Sequence, residues 1–268
     1  MNIIKYKKNL EKTFDDVSSR YDDNRFFSIA AKQMADMIPS SQTMRVLDLS
    51  TGTGTVAIEV ATKLPHANIN AIDLSIEMLN RAKEKSKEKG INNISFKKCD
   101  VDDIDYHDET FDVVTCGYAL FFYPDMEESY KRVCKKIKPG GVLVFSTFTK
   151  EAFNPYATLF LNRLDSGYSI KVPSRLRDRL KTKQQIEELV GTSKIGSVKV
   201  VHQPIRYSVT INEWWSLLNN AGYKSLLDQL NHEQLRRFKN DHLKEIEEVS
   251  TEGSIELNAD TLFAIVRV

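Results

Sequence analysis

The sequence predicts an α/β fold built on a doubly wound, mostly parallel sheet, and three observations support this prediction. Short apolar runs alternate with longer amphipathic segments between about residues 44 and 149. A turn rich in glycine and other small residues joins the first of these runs to the segment after it. The chain has 268 residues, of which 41% are hydrophobic and 28% charged, a composition typical of a folded globular protein.

The elements of the predicted core follow in order along the chain. Its strand candidates are Arg45–Leu49, Asn68–Asp73, Ile94–Asp100, Val113–Cys116 and Gly141–Phe148. The helix candidates between them are Val56–Leu64, Ile76–Lys89 and Met126–Lys136. The turn Lys138-Pro139-Gly140-Gly141 ends the last of these helices.

The rest of the chain is predicted to add helices around this core. Phe14, Val17 and Tyr21 share one face at helical spacing, which indicates a helical cap. The later candidates are the helices Phe153–Leu164, Lys183–Val190, Asn212–Asn219 and Glu233–Val249, and the strands Ser197–Val209 and Thr261–Val268. We therefore expect a cap over 1–40, a core over 41–149, a substrate lid with a late strand over 150–259, and a final core strand over 260–268.

Charge and cysteine content argue against several classes of protein. The 38 basic and 37 acidic residues give a net charge of +1, so we expect no nucleic-acid partner. No apolar run approaches the roughly 18 residues of a membrane span, and none resembles a signal peptide, so we expect a cytoplasmic protein without membrane insertion. Cys99, Cys116 and Cys134 lack metal-binding or disulfide spacing, and no metal is predicted.

The segment that points to chemistry is Asp48-Leu49-Ser50-Thr51-Gly52-Thr53-Gly54. Small residues after a strand let the backbone approach a ligand closely. Gly52-x-Gly54-x-x-Ala57, with Asp73 about 20 residues on, also fits the dinucleotide fingerprint. Asp48 argues against a dinucleotide, because a carboxylate at the end of the strand suits a cationic ligand better than a pyrophosphate.

These residues resemble the first motif of the class I S-adenosylmethionine-dependent methyltransferases, with Ser50 in place of the first glycine. Later features match the same family in order: Asp73, Cys99-Asp100-Val101, Phe111–Gly117 with Tyr123-Pro124-Asp125, and Lys138–Gly141. The similarity is greatest to the branch of ubiquinone and menaquinone biosynthesis methyltransferases. It implies a Rossmann-like sheet of seven strands whose last strand is antiparallel, and S-adenosyl-L-methionine as the cofactor.

The resemblance also implies roles for individual residues. Asp73 would bind the ribose hydroxyls and Asp100 the adenine amino group, while Asp48 would favour the positive end of the cofactor. Tyr21, on the family's entry helix, would lie over the cofactor. The predicted cofactor-binding residues are Tyr21, Asp48, Ser50, Thr51, Gly52, Gly54, Asp73, Leu74, Met78, Asp100, Val101 and Cys116.

Aromatic residues after the fourth strand predict the acceptor site, because ligands bind at this edge of open α/β sheets. The predicted substrate-binding residues are Tyr118, Phe121, Phe122 and Trp214. Methyl transfer needs proximity more than a strong base, and the histidines that relatives often carry before the Pro-Asp pair are absent. The candidates for a base are Tyr21, Tyr118, His202 and Tyr207, whereas His66, His107, His232 and His242 are expected at the surface.

The sequence thus predicts a methyltransferase that uses S-adenosylmethionine and acts on a small aromatic or apolar molecule, as a monomer or homodimer. The accepting atom, oxygen, nitrogen or carbon, stays open. Two alternatives remain at this point: a nicotinamide-dependent oxidoreductase and a non-catalytic protein that binds S-adenosylmethionine.

Overall fold

The computed structural model of the protein describes residues 2–39, 43–171 and 179–268. Its strands in these ranges are β1 (Arg45–Leu49), β2 (Asn68–Asp73), β3 (Ile94–Lys98), β4 (Phe111–Gly117), β5 (Ile137–Phe148), β6 (Ser197–Gln203), β7 (Arg206–Thr210), β8 (Ser254–Asn258) and β9 (Thr261–Arg267). Seven of them form one sheet in the order β3-β2-β1-β4-β5-β9-β6, and β7 pairs with β8 separately. In the large sheet β9 runs antiparallel to both neighbours and every other pair is parallel, which confirms the predicted fold class.

Helices surround this sheet. They are α1 (Ile3–Val17), α2 (Arg25–Met37), α3 (Thr55–Lys63), α4 (Ile76–Glu88), α5 (Met126–Lys135), α6 (Tyr156–Tyr168), α7 (Lys183–Ser193), α8 (Ile211–Asn219), α9 (Lys224–Leu227) and α10 (His232–Glu248). Short 3₁₀ turns lie at Tyr21–Asp23, Val101–Asp103 and Leu120–Phe122. Within the described ranges, no helix combines the length and the apolar character that a membrane crossing requires.

The central strands are buried on both faces, which explains why their sequences are almost continuously apolar. In β1, Val46 belongs to the core cluster that includes α2 and α3, whereas its neighbour Leu47 belongs to the cluster on the other face. Successive side chains of a strand point to opposite faces, so each face contributes its own core. The carboxyl ends of β1, β2 and β4 therefore meet at one edge of a rigid sheet.

The prediction of a single strand over Ser197–Val209 is wrong. Pro204 and Ile205 separate β6, which is in the large sheet, from β7, which pairs with β8. Proline has no N–H to donate to a sheet, and the N–H of Ile205 donates instead to Asp260 Oδ1 at 3.0 Å. The range predicted as a lid thus contributes β6 to the main sheet and also contains β8, which the sequence did not predict.

Candidate active site

The loop between β1 and α3 has an unusual backbone. Ser50, Gly52 and Gly54 all have positive φ, at 48°, 55° and 76°. A Cβ atom on Gly54 would lie 2.8 Å from the Cβ of Ala82, so only glycine lets α4 pack this closely. A Cβ atom on Gly52 would have no neighbour within 4 Å. The loop therefore presents its backbone to open space on one side, where a ligand can approach it.

Asp73 ties the ends of β1 and β2 together. Its Oδ2 accepts a hydrogen bond from the N–H of Gly52 at 2.8 Å, and its Oδ1 accepts one from the N–H of Ser75 at 2.8 Å. Burial raises the pKa of this carboxyl to about 6. Since an ionised carboxylate can accept about four hydrogen bonds, roughly half of its capacity is left for a ligand.

Asp48 lies beneath the same loop and is 1% exposed. Thr115 Oγ1 and Thr51 Oγ1 donate to its two carboxylate oxygens, each at 2.5 Å. Burial raises the pKa of Asp48 to about 6, so the carboxylate is mostly ionised at neutral pH. In the described part of the chain no lysine or arginine neutralises Asp48 or Asp73, and the site favours a cation.

The N-terminal cap is attached to this loop by contacts that the sequence did not predict. Asp22 accepts hydrogen bonds from Thr53 Oγ1 at 2.6 Å and from Lys85 Nζ at 2.9 Å. Asp15 accepts one from Ser75 Oγ at 2.5 Å, at the start of α4. The adjacent acidic pairs in the cap were the only sequence signal for these contacts.

Asp100, the predicted adenine-binding residue, contacts α1 instead of standing free. Its Oδ2 forms an ion pair with Lys7 at 2.7 Å, and its Oδ1 accepts from the N–H of Asp102 at 3.0 Å. Val101 and Met78 nearby are buried in the core. The sequence did not identify Lys7 as the partner of this carboxylate.

Ser50 and Cys116 are linked by a buried tyrosine from the loop after β4. The hydroxyl of Tyr123 lies 3.0 Å from Ser50 Oγ and 3.6 Å from Cys116 Sγ. Ser50 stands at the position of the family's first glycine and keeps a positive φ there. The hydrogen bond to Tyr123 helps to hold this less favourable conformation.

Two cavities meet at this edge of the sheet. The smaller, about 50 Å³, lies over the glycine loop and reaches Asp48, Ser50 and Gly52. The larger, about 290 Å³, lies between the cap, β5 and the lid helices. Three aromatic residues line both: Tyr21, Phe27 and Tyr118.

The wall of the larger cavity is mainly aromatic, and Phe121 and Phe122 are part of it, in agreement with their predicted location. The sequence did not assign several of its other residues: Tyr6, Phe14, Phe26, Phe148, Phe153 and Tyr223. Tyr118 has a φ of 50°, and its ring stacks on Phe148 with centroids 4.3 Å apart. No Asp, Glu or His side chain lines this cavity among the described residues.

The two tyrosine hydroxyls nearest the smaller cavity are poor bases. The hydroxyl of Tyr118 is 2.6 Å from Thr261 Oγ1, and burial raises its pKa well above the ordinary tyrosine value. Burial and the nearby Asp73 raise the pKa of Tyr21 as well. Both phenols therefore stay protonated at neutral pH.

Three residues predicted for substrate binding or catalysis lie elsewhere. Trp214 is fully buried between lid helices, where its Nε1–H donates to His242 Nε2 at 3.0 Å. His202 is on the edge strand β6, 3.5 Å from Asp260, and Tyr207 lies under the guanidinium of Arg25. The expectation that His242 is a surface residue is wrong, because its side chain is buried. It lies in α10, a helix with many charged residues whose apolar face packs against neighbouring helices.

The described residues contain no group of three or more His, Cys, Asp or Glu side chains placed to hold a metal ion.

A sequence profile of the family described as "Methyltransferase domain" matches residues 40–222. The malonyl-[acyl-carrier protein] O-methyltransferase of Marinomonas sp. (strain MWYL1) is 32% identical over 152 residues, which cover 56% of this chain and 55% of that protein. The ubiquinone/menaquinone biosynthesis C-methyltransferase of Geotalea daltonii is 30% identical over 161 residues, which cover 56% of this chain and 68% of that protein. The aligned part thus spans little more than half the length of the first of these relatives.

The fold is also that of a solved structure, the YcgJ protein of Bacillus subtilis. The two superpose with a TM-score of 0.61 at 18% identity, covering 89% of this chain and 97% of that chain. At this level of identity the likeness concerns the fold and carries no information on the substrate.

Proposed function

This chain belongs to the methyltransferase domain family, and on that premise we propose that it transfers the methyl group of S-adenosyl-L-methionine to a small aromatic or apolar acceptor. The observation that carries the proposal is the junction of the two cavities at Tyr21, Phe27 and Tyr118. A cavity on the glycine loop that reaches the buried carboxylate of Asp48 adjoins an aromatic cavity there. This arrangement suits a cationic cofactor on one side and an apolar acceptor on the other.

The polar groups in and beside the glycine loop fit this cofactor. It carries a sulfonium cation, an amino-acid end, a ribose diol and an adenine ring. Asp48 and Asp73 supply two buried carboxylates without a cationic partner in the described part of the chain. Gly52 leaves the space above the loop open.

The free volume of the smaller cavity is less than the cofactor requires. About 50 Å³ is well below the roughly 300 Å³ at which ordinary small-molecule sites begin. We infer that part of the wall moves to admit the cofactor. The segment of the cap before α2 carries Tyr21, and side-chain contacts such as that of Asp22 with Thr53 hold it to the glycine loop. Because α2, which carries Phe27, is packed in the core, we infer that the segment before α2 is the part that moves.

When bound, the cofactor supplies an activated methyl group on a sulfonium sulfur, which an in-line displacement transfers to a nucleophile. The protein's part is to hold the two reactants and to exclude water. The remaining lone pairs of Asp73 would accept the ribose hydroxyls, and Asp48 would favour the positive charge. The aromatic wall at Tyr118 and Phe148 would orient a flat acceptor.

No side chain of the larger cavity is suited to act as a general base at neutral pH among the residues described. The proposed mechanism therefore depends on proximity and on an acceptor that already bears a nucleophilic atom. The other residues predicted to bind the cofactor, Leu74, Met78, Asp100, Val101 and Cys116, keep that role as part of this proposal.

Isothermal titration with S-adenosylhomocysteine tests cofactor binding, and transfer of a labelled methyl group to a panel of aromatic acceptors tests catalysis. We expect binding in the micromolar range and transfer to at least one acceptor. Absence of binding at high micromolar concentration would contradict the proposal. Binding without transfer to any acceptor would favour the alternative of a non-catalytic binding protein.

A further inference from the structure

We propose that the guanidinium of Arg179 binds a carboxylate of the methyl acceptor, so that the acceptor is an aromatic or apolar acid rather than an amine or a neutral molecule. The inference concerns the acceptor cavity and rests on the proposed function. It comes from three observations: the position of Arg179, its hydrogen bonds, and the charge of the cavity wall.

Arg179 lines both the 290 Å³ cavity and an outer groove between α5 and α7, which also contains Asp125, Glu127 and Glu188. The 290 Å³ cavity also reaches Tyr21 and Phe27, which face the smaller cavity as well. A ligand held by Arg179 would therefore occupy the aromatic cavity that adjoins the proposed cofactor site.

The hydrogen bonds of Arg179 leave one edge of its guanidinium available. Nη1 donates to the carbonyl oxygens of Phe121 at 3.2 Å and Tyr123 at 2.8 Å, and Nη2 donates to that of Pro124 at 3.4 Å. Of the five N–H groups of arginine, these contacts use both on Nη1 and one on Nη2. The N–H of Nε and the second N–H of Nη2 remain, and together they form the fork that binds a carboxylate through two parallel hydrogen bonds.

The hydrogen-bond partners of Arg179 in the described part of the chain are three neutral carbonyl oxygens, and it forms no ion pair with a described Asp or Glu. The side chain is half-buried, and burial lowers the pKa of the guanidinium, whereas Tyr6 and the charge of Asp125 in the outer groove act in the opposite direction. A partly desolvated cation whose hydrogen-bond partners are all neutral favours an anionic ligand.

The charge of the cavity wall disfavours a positively charged acceptor. Its described residues include the cations Arg179 and Lys181 and no Asp or Glu. An amine acceptor would bring a further positive charge beside Arg179 into an apolar space, which is unfavourable. A carboxylate would instead receive a preorganised partner, because the three carbonyl contacts already fix the guanidinium.

Three probes with the same apolar body test this proposal: 3-phenylpropanoate, 3-phenylpropanamide and 3-phenylpropylamine. Their binding to the wild-type protein, R179Q and the surface variant R237Q is measured by isothermal titration. We expect the wild type to bind the carboxylate about tenfold or more tightly than the amide, the factor typical of hydrogen bonds to a charged group. The amine should bind least.

R179Q should lose this preference to within about twofold, whereas R237Q should keep it, because Arg237 is 81% exposed and does not line the cavity. Equal preference in R179Q and wild type overturns the proposal, as does loss of the preference in R237Q alone. If R179Q does not fold, the affinities of the three probes for the wild-type protein are sufficient to test the proposal. A carboxylate that binds no more tightly than the amide, or does not bind at millimolar concentration, then overturns it.

Titration of the same proteins with S-adenosylhomocysteine separates this proposal from the proposed function. Binding of S-adenosylhomocysteine without a carboxylate preference rejects only the role of Arg179. A carboxylate preference without binding of S-adenosylhomocysteine rejects methyl transfer and leaves the cavity as a site for organic acids.

Discussion

The carboxylate of Asp22 accepts a hydrogen bond of 2.6 Å from the hydroxyl of Thr53 and so fastens the N-terminal cap to the glycine loop. Lys85 adds an ion pair of 2.8 Å to the same carboxylate. The cavity beneath the cap is smaller than the proposed cofactor, so we expect these contacts to loosen before the cofactor enters. They should then slow both its entry and its exit.

We expect D22N to speed both the association and the dissociation of S-adenosylhomocysteine several-fold, because the amide keeps the shape but loses the ion pair with Lys85. Stopped-flow measurements give both rates. Hydrogen exchange in α1 should rise as well, since opening becomes easier.

D23N is the matched control, because Asp23 is the adjacent residue, is exposed, and makes no side-chain hydrogen bond or ion pair with another described residue. Its rates should equal those of the wild type. Unchanged rates in D22N, or equal acceleration in both variants, would show that the contact with Thr53 and Lys85 does not control entry.

Asp73 is expected to contribute most to cofactor affinity. Its two oxygens each hold one backbone N–H, from Gly52 and Ser75, and retain capacity for the two ribose hydroxyls. In D73N the amide nitrogen cannot accept a hydrogen bond, so one hydroxyl loses its acceptor and one backbone N–H loses its partner. The dissociation constant of S-adenosylhomocysteine should rise about 10- to 100-fold, as expected for hydrogen bonds to a charged group.

D105N provides the comparison for this measurement, since Asp105 is an exposed carboxylate that pairs with Lys97 away from the glycine loop. Its affinity should match that of the wild type. An affinity loss of less than about threefold in D73N would argue against the ribose role.

Asp48 should give the protein a distinctive dependence of stability on pH. Burial raises the pKa of its carboxyl to about 6, above the roughly 3.9 of an unfolded aspartate. The stabilisation by the protonated form is fully present below about pH 4 and is lost as the pH rises through about 6. The free energy of unfolding of the wild type minus that of D48N should therefore fall between pH 4 and pH 7, by on the order of 3 kcal/mol.

Urea unfolding of both proteins at a series of pH values measures this difference, and the subtraction removes the contributions of acids that do not interact with Asp48. A difference that stays constant, or rises with pH, would mean that Asp48 is not a destabilised buried anion. The same anion should favour the sulfonium form of the cofactor. The ratio of S-adenosylmethionine to S-adenosylhomocysteine affinity should thus be larger at pH 7.5 than at pH 5 in the wild type, and this difference should be smaller in D48N, where Asp73 is the remaining carboxylate.

The core of the fold could be predicted because local sequence determines it. The bounds of β1 and β2 match the predictions to the residue, since strands buried on both faces are continuous apolar runs with polar residues at their ends. The error at Ser197–Val209 arose where apolar residues continue through Pro204, which removes a donor and starts a new strand. Periodicity does not reveal which sheet a strand joins.

The residues of the candidate site could be predicted from the sequence only where they belong to a recognisable motif. Asp48, Gly52 and Asp73 follow strands whose order fixes their proximity, and the structure brings them together at one edge. The pairing of Asp22 with Lys85 joins residues 63 positions apart, and the contact of Lys7 with Asp100 joins residues 93 apart. The sequence does not distinguish one charged side chain of an amphipathic helix from another. These ion pairs therefore become evident only from the way the cap packs on the core.

Trp214 and Trp215 are adjacent in α8 but differ in their surroundings. Trp214 is fully buried and donates to His242, whereas Trp215 is half-buried under Lys239. Burial lowers the pKa of His242 to about 4, so its Nε2 remains a hydrogen-bond acceptor at neutral pH. W214F removes the donor, leaves that nitrogen unsatisfied and creates a cavity, which should cost about 2–4 kcal/mol of unfolding free energy.

W215F should cost less than about 1 kcal/mol, because that side chain has room to relax toward solvent. Urea unfolding of the two variants measures both costs, and titration with S-adenosylhomocysteine should give wild-type affinity in each. Similar destabilisation by the two substitutions would contradict the structural role of the Trp214–His242 hydrogen bond. If W214F instead kept its stability and lost binding of 3-phenylpropanoate, Trp214 would belong to the acceptor site, as its sequence position alone suggested.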